Sequence, residues 1–551
     1  MDSKTHEALS DFREELQLEV EGARAVLASL DRADLTLTRA EPADPRGAAR
    51  KSPRSWLLYW EPGKHVRERF DLAPELLVVL VPAREVQARD VDKAEQAIRR
   101  DYRLDRGVVL VVARDREAAE RMSHAARATG RVYIFLSFAE VANVSDPQQW
   151  LRQILLEHLG SSDLFATGAP VFGWDFVGRK RELLAIRRHL LGGRPVGLYG
   201  LRKVGKTSVL LVLRDQLVAE SSAEERVVTA VPVHLDLLGV SFAEANRAGF
   251  MRYLLRSIHE AIERLGLSPR DLGLPGSDRR RRRGAEESPA EIETLGVATL
   301  DALIDWARRQ ASRPIVLLFI DEYERLLGGS GFPEAHGVEI LDWIRGLVQR
   351  YPGTFNFLVA GLNRHLASVP VVVGRQNPLF NFVIDFPLAG LVEEEHGELV
   401  RKIGRRLSLR FEHDALALIY EESGGHAWLA RELGRVIDQE TPVAGRAPIR
   451  IDRAAVERLI PEFRRGVGMT MEEIQRAVSD LDPGAPAALA RAEGNPAEAQ
   501  AAYHELSPRV LDDLERYGVL AKSPEGAWRV RIGCFGAFLQ ENWGSGRGRR
   551  G

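Results

Sequence analysis

Gly200-Leu-Arg-Lys-Val-Gly-Lys-Thr207 has the residue types and spacing to hold phosphate, in the pattern G-x-x-x-x-G-K-[ST]. The glycines let backbone N–H groups close around phosphate oxygens, and a helix starting there adds its partial positive charge. Lys206 would reach the outer phosphates of a nucleotide, and the Thr207 hydroxyl would ligate Mg2+. The loop's candidate contacts are Gly200, Arg202, Val204, Gly205, Lys206, Thr207 and Ser208. A second run, Pro314-Ile-Val-Leu-Leu-Phe-Ile-Asp-Glu322, ends an apolar stretch with two carboxylates. Asp321 would hold Mg2+, directly or through water, and Glu322 would orient or deprotonate an attacking water. A third, Phe355-Asn-Phe-Leu-Val-Ala-Gly-Leu-Asn363, offers Asn363, or Arg364 beside it, to sense the terminal phosphate. An asparagine after a glycine is also ordinary turn chemistry.

These groups work together only if particular elements position them. Pro195–Tyr199 reads as a short buried strand ahead of the loop, and Ser208–Ala219 as an apolar helix behind it. A strand over 231–237, a helix over 242–265, a helix over 300–310, the strand ending at Asp321, a helix over 338–349 and a strand over 355–360 follow. The run before Asp321 fits a central strand buried on both faces, with the site at its C-terminal end. Helices over 392–407, 413–422 and 426–439 form one group, and a last module over 466–543 combines helices with a short strand pair. Upstream, a helix over about 1–30 and an exposed loop over 40–54 precede four apolar runs, at 56–60, 76–81, 108–112 and 132–136. Helical intervals over 88–100 and 116–129 separate the later runs, which predicts a small α/β domain.

Composition narrows the class. A chain of 551 residues with 45% hydrophobic and 28% charged residues predicts roughly three or four globular domains. The 77 lysines and arginines nearly balance 79 acidic residues, which does not favour a dedicated nucleic-acid binder. Five consecutive arginines, Arg279 to Arg283, leave a local patch open, although such a run is usually a solvated loop and Glu286 and Glu287 stand close by. The single cysteine, Cys534, suits a reducing compartment. No apolar run reaches the ~18–20 residues of a membrane span, so the expectation is a soluble cytoplasmic protein without membrane partners.

The phosphate loop, with Arg202 at its third position and Thr207-Ser208 after the lysine, resembles that of the STAND-type NTPases. These are AAA+-related, and the prokaryotic group with archaeal-type ATPases is the most similar. Phe176-Val-Gly-Arg179, Asp321-Glu322, Arg375-Gln-Asn-Pro-Leu-Phe-Asn381 and Ser423-Gly-Gly-His426 also match, over about 170–545. The resemblance implies an α/β P-loop NTPase core with sheet order 5-1-4-3-2, a helical lid and a C-terminal winged helix. It implies ATP with Mg2+ as ligands, slow regulatory hydrolysis to ADP and phosphate, and base contacts from Val177 and Gly178. Ala427 departs from the proline that often follows Gly-Gly-His, which puts the lid contact and any sensor role of Arg431 in question.

The expected division is 1–165, an α/β domain of unassigned function; 170–390, the ATPase core; 391–465, the lid; and 466–545, the winged helix. The helix over 507–517, which would read DNA in a winged helix, carries Asp512, Asp513 and Glu515 against Arg509 and Arg516. That balance favours packing on the core over duplex binding. Tyr133-Ile-Phe-Leu-Ser-Phe138 is too close to the next domain to open a TIR domain, and Glu61-Pro-Gly-Lys64 has the wrong spacing for a nuclease. The expected function is a nucleotide-dependent conformational switch in bacterial signalling or defence. Its N-terminal domain would bind a protein partner or effector, and ATP would drive homo-oligomer assembly. The alternative is a DNA-associated AAA+ ATPase, of origin-recognition or transposition-helper type.

Overall fold

The structure is a computed structural model. It describes residues 22–43, 55–82, 88–101, 103–114, 131–160, 163–165, 170–171, 175–221, 227–239, 246–275, 288–327, 334–362, 369–372, 374–441, 448–495 and 499–543. Asn363, Arg364, Arg279–Arg283, Glu286, Glu287, the first 21 residues and the helix expected over 116–129 lie outside the described residues.

The N-terminal part is built on one five-stranded sheet. Its elements are α1 (Ala23–Arg32), β1 (Leu35–Pro42), β2 (Trp56–Pro62), α2 (Lys64–Phe70), β3 (Glu75–Val81), α3 (Ala88–Arg100), β4 (Leu104–Ala113), β5 (Val132–Ser137), α4 (Phe138–Ala142) and α5 (Pro147–Gly160). The strands lie in order 1-2-3-4-5, antiparallel from β1 to β3 and parallel from β3 to β5. Strand β3 is buried along its whole length, as its Leu-Leu-Val-Val-Leu-Val run requires of a central strand. Strand β1 lies where the sequence predicts a helix-to-loop passage. Only Leu35 and Leu37 of it are deeply buried, so half of this edge strand is polar and it lacks an apolar run.

The central part carries a second sheet, wholly parallel. Its elements are α6 (Lys180–Leu191), β6 (Val196–Tyr199), α7 (Lys206–Ala219), β7 (Ala230–Asp236), α8 (Arg247–Arg264), α9 (Pro289–Arg309), β8 (Ile315–Asp321), α10 (Glu334–Arg350), β9 (Phe355–Gly361), the short pair β10 (Val371–Val372) and β11 (Arg375–Gln376), and β12 (Ile384–Pro387). The order β12-β6-β9-β8-β7 is the expected 5-1-4-3-2, with β12 supplying the fifth strand. This is the α/β fold of a P-loop NTPase. Helix α9 starts eleven residues or so before the helix expected from periodicity, because Ser288 and Glu291 form a capping box there with Pro289 at the first turn.

The C-terminal part is mostly helical: α11 (Glu393–Arg406), β13 (Leu409–Phe411), α12 (His413–Ser423), α13 (Ala427–Glu440), β14 (Ile449–Ile451), α14 (Arg453–Gly466), α15 (Gly468–Leu481), α16 (Ala485–Gly494), α17 (Ala499–His504), α18 (Pro508–Arg516), a hairpin of β15 (Leu520–Lys522) and β16 (Trp528–Val530), and α19 (Gly533–Trp543). One hydrophobic core runs without a break from Phe165 through the central sheet to Leu539. The N-terminal sheet has two cores of its own, one on each face. One surface expectation fails: Asp513 of α18 is buried rather than exposed.

Candidate nucleotide site

The loop between β6 and α7 is shaped by residues with positive φ. Lys203 sits at φ 60° and Gly205 at 108°, the latter a conformation that any side chain would strain. Lys206 is buried and folds back, its Nζ donating to Gly200 O at 2.9 Å and Leu201 O at 3.0 Å. Burial lowers its pKa, while Glu322, Glu324 and Asp321 act the other way. Parallel pairing puts Asp236 beside Asp321 at the C-terminal ends of β7 and β8. The Thr207 hydroxyl donates to Asp321 Oδ2 at 2.6 Å. Burial pushes the Asp321 carboxyl up to about 6, with the Thr207 hydrogen bond opposing and Glu322 adding to the rise.

These oxygens are hard donors of the kind Mg2+ takes, and Thr207 and Asp321 are already in contact. Among the described residues no cluster of three or more acidic, histidine or cysteine side chains is built to hold a metal alone. An ion here would therefore share its coordination with phosphate and water, as Mg2+ commonly does.

The pocket above the loop has a volume of about 480 Å3. Val204, Gly205, Lys206, Thr207, Ser208, Asp236 and Glu322 line one part of it. Asp175, Phe176, Val177, Leu391, Leu399, Trp428 and Arg431, from the segment ahead of α6 and from the helices after β12, line the rest. Arg202 and Val177 border the same space, whereas Gly200 and Gly178 do not line it. A Cβ at Gly200 would overlap Leu388 O, and one at Gly178 would overlap the Glu395 carboxylate.

Several further groups pack around this pocket. Glu324, in the short turn after β8, accepts from Leu362 N at 3.0 Å and so ties β8 to the end of β9. Burial pushes its carboxyl up to about 7, and Glu322 adds to that. Arg179 is buried, donates to Ala389 O at 2.5 Å, and its own N–H donates to Glu395 Oε1 at 2.9 Å. The Phe-Val-Gly-Arg stretch is thereby fastened to the residues after β12. His426 caps α13 by accepting from Leu429 N at its Nδ1, so its Nε2 donates to Arg202 O at 2.8 Å. Lys203 lies 3.7 Å from the centre of the Trp428 ring, and Arg202 pairs with Glu473 of α15 at 2.8 Å. The helices after β12 therefore touch the phosphate loop through backbone, ring and charge. Arg431, whose role Ala427 left open, is buried and lines the pocket. Its Nη1 has no hydrogen-bond partner among the described residues, and burial lowers its pKa to about 10.

Neither a protein-family profile nor a curated protein matches the sequence. Among solved structures, a Walker-type ATPase of Pyrococcus abyssi is similar, at 13% identity and TM-score 0.43, over 68% of this chain and 99% of that one. The ORC2 protein of Aeropyrum pernix is similar at 15% identity and TM-score 0.37, over 70% and 98%. RuvB of Thermotoga maritima is similar at 18% identity and TM-score 0.30, over 64% and 92%. Likeness at this level leaves the chemistry to be read from this chain's own residues. Among the described residues no helix is long and apolar enough to cross a membrane.

Proposed function

We propose that this chain binds Mg-ATP at the 200–207 loop and uses it as a conformational switch, hydrolysing it slowly to reset. The carrying observation is that a single pocket joins the phosphate loop and Glu322, the residue after Asp321, to Arg431 and Trp428 of α13. A ligand spanning that pocket contacts both the sheet and the helices that follow it, so its presence biases their arrangement. Lys206 and Arg431 would balance the phosphate charge, Thr207 and Asp321 would hold Mg2+, and Glu322 would orient water. Val177 would contact the base. Residues 391–465 act as a lid, and α18 with the β15–β16 hairpin as a winged helix that packs on the core. The biological setting proposed is signalling or defence, through a partner on the N-terminal domain.

Isothermal titration tests the site directly. Wild-type protein should bind Mg-ATP, and Lys206→Ala should lose binding altogether; retained binding would place the phosphates elsewhere. Glu322→Gln should bind as wild type but release phosphate at least tenfold more slowly, as expected for loss of a general base.

The helix–hairpin arrangement of α18, β15 and β16 supports a second reading, a DNA-associated ATPase. Against it, Arg516 is occupied by Asp385 at 3.4 Å and Asp512 at 2.9 Å. Duplex binding that weakens steeply with salt would favour this reading, and no binding at low salt would remove it.

A further inference from the structure

Arg406, in the last turn of α11, is buried and its guanidinium is shared three ways. Nη2 donates to Asp105 Oδ2 at 2.8 Å, Nη2 and Nε donate to Asp71 O at 3.0 and 3.3 Å, and Nη1 lies 3.6 Å from Asp175 Oδ1. Asp71 and Asp105 belong to the N-terminal part, whereas Asp175 lines the pocket. Asp105 is a fixed acceptor, completely buried and bonded by the N–H groups of Ala73, Gly107 and Val108. A Cβ at Gly107 would overlap the Arg406 guanidinium, so glycine there lets the two approach closely.

The next residue along β4 approaches a different helix. Arg106 lies 3.9 Å from Asp215 of α7, the helix that begins at Lys206. Neighbouring residues of one strand therefore reach two different helices: Asp105 bonds Arg406 of α11, and Arg106 lies beside Asp215 of α7, whose Oδ1 also accepts from Arg214 at 2.7 Å. Of the residues in these contacts, Asp175 also lines the pocket.

A third tie runs through Arg431. Its Nε and Nη2 reach Phe165 O and Leu164 O at 3.5 Å each, just past the end of α5, while its Nη1 has no hydrogen-bond partner among the described residues. The Phe165 ring is packed where a Cβ on Gly434 of α13 would overlap it. An anionic ligand in the pocket would compete with those two carbonyls for Arg431 and would lie beside Asp175, which shares Arg406 with Asp105. Arg431 and Asp175 thus line the pocket and also take part in contacts at the edge of the N-terminal part.

We propose that the N-terminal part is clamped across the joint between α7 and α11 by Arg106–Asp215 and Asp105–Arg406, and that nucleotide occupancy loosens this clamp. The proposal rests on the nucleotide reading of the pocket and deepens it, naming the contact that occupancy regulates.

Hydrogen exchange of the full chain, with and without a non-hydrolysable Mg-ATP analogue, tests it. Peptides covering 71–79 and 104–113 should exchange roughly fivefold or more faster with the analogue, the lower range of ordinary coupling between sites. Asp105→Asn should exchange in those peptides at the ligand-bound rate before any analogue is added. By reciprocity it should also tighten analogue binding by the same factor. Because Asp105 is buried, Asp215→Asn, on the more exposed side of the clamp, serves as a second variant. It should keep unchanged exchange over 315–321 while losing at least half of the ligand-dependent change at 104–113. Analogue binding with unchanged exchange in both peptides overturns the proposal, as does a wild-type response in both variants. Failure of wild-type protein to bind the analogue overturns the nucleotide reading, and the clamp proposal with it.

Discussion

Glu324 ties the turn after β8 to the end of β9, and no motif announces it. Its Oε1 accepts from Leu362 N, and a Cβ on Gly361 would overlap its other oxygen and the Tyr323 ring. It therefore fixes the backbone at Gly361 and Leu362. Glu324→Gln keeps an acceptor for that N–H, so phosphate release should stay within about threefold of wild type. Glu324→Ala leaves the amide without its partner, a loss of about 1 kcal/mol or more, and should slow release roughly tenfold with nucleotide affinity unchanged. Equal rates in the two variants would separate Glu324 from the site. The loop and the Asp321-Glu322 pair are each legible in sequence as a local motif, although Thr207 and Asp321 meet across 114 positions. Glu324 and Arg406 belong to no such motif, and only the fold supplies their partners, 38 and 301 positions away.

Secondary elements explain what periodicity could and could not reveal. Helices α11, α12 and α13 fall within a residue or two of their expected bounds, because each has an apolar stripe and a clear end. Strand β1 and the short β13–β14 pair escape notice, being polar on one side or only three residues long. Burial of polar side chains inside these elements also sets the response to acid. Burial lowers His426 to about 4, and His234 of β7 and His396 of α11 to about 3. Unfolded histidine takes up its proton near 6.5, so below that the unfolded state holds more protons and stability falls with pH. Asp321 and Asp438, raised to about 6, and Glu324, raised to about 7, act oppositely: their folded forms take up protons first. That gain ends near pH 4, where unfolded carboxylates protonate as well. These six groups predict a stability plateau between roughly pH 6 and 4.5. A fall of about 1 kcal/mol per pH unit should follow below it, since the folded histidines begin to take up protons near 4 and 3 as the carboxyl gain fades. Urea midpoints measured across that range check this, and a steady decline from pH 6.5 would show the three carboxyls ionised in the fold.

At the scale of the whole molecule, the distribution of apolar cores sets how it unfolds. The core from Phe165 to Leu539 is continuous through the central sheet, α11–α13 and the last module, so no apolar gap separates those parts. The N-terminal sheet encloses separate cores, and part of its attachment is the charged Asp105–Arg406 and Arg106–Asp215 contacts. Charged contacts of this kind weaken if the partner surface shifts, whereas a shared apolar core does not divide. Calorimetry should accordingly show two transitions, one for each set of cores. Mg-ATP at a hundredfold excess over its dissociation constant should stabilise the unit containing the phosphate loop by about 2.7 kcal/mol, through mass action alone. The transition of the N-terminal unit should not rise with it, and should fall if occupancy loosens the clamp. In Lys206→Ala neither transition should respond. A single transition that rises as one with ligand would mean that the two sets of cores unfold as a single body. The N-terminal sheet would then be part of the nucleotide-binding unit rather than a separate module attached to it.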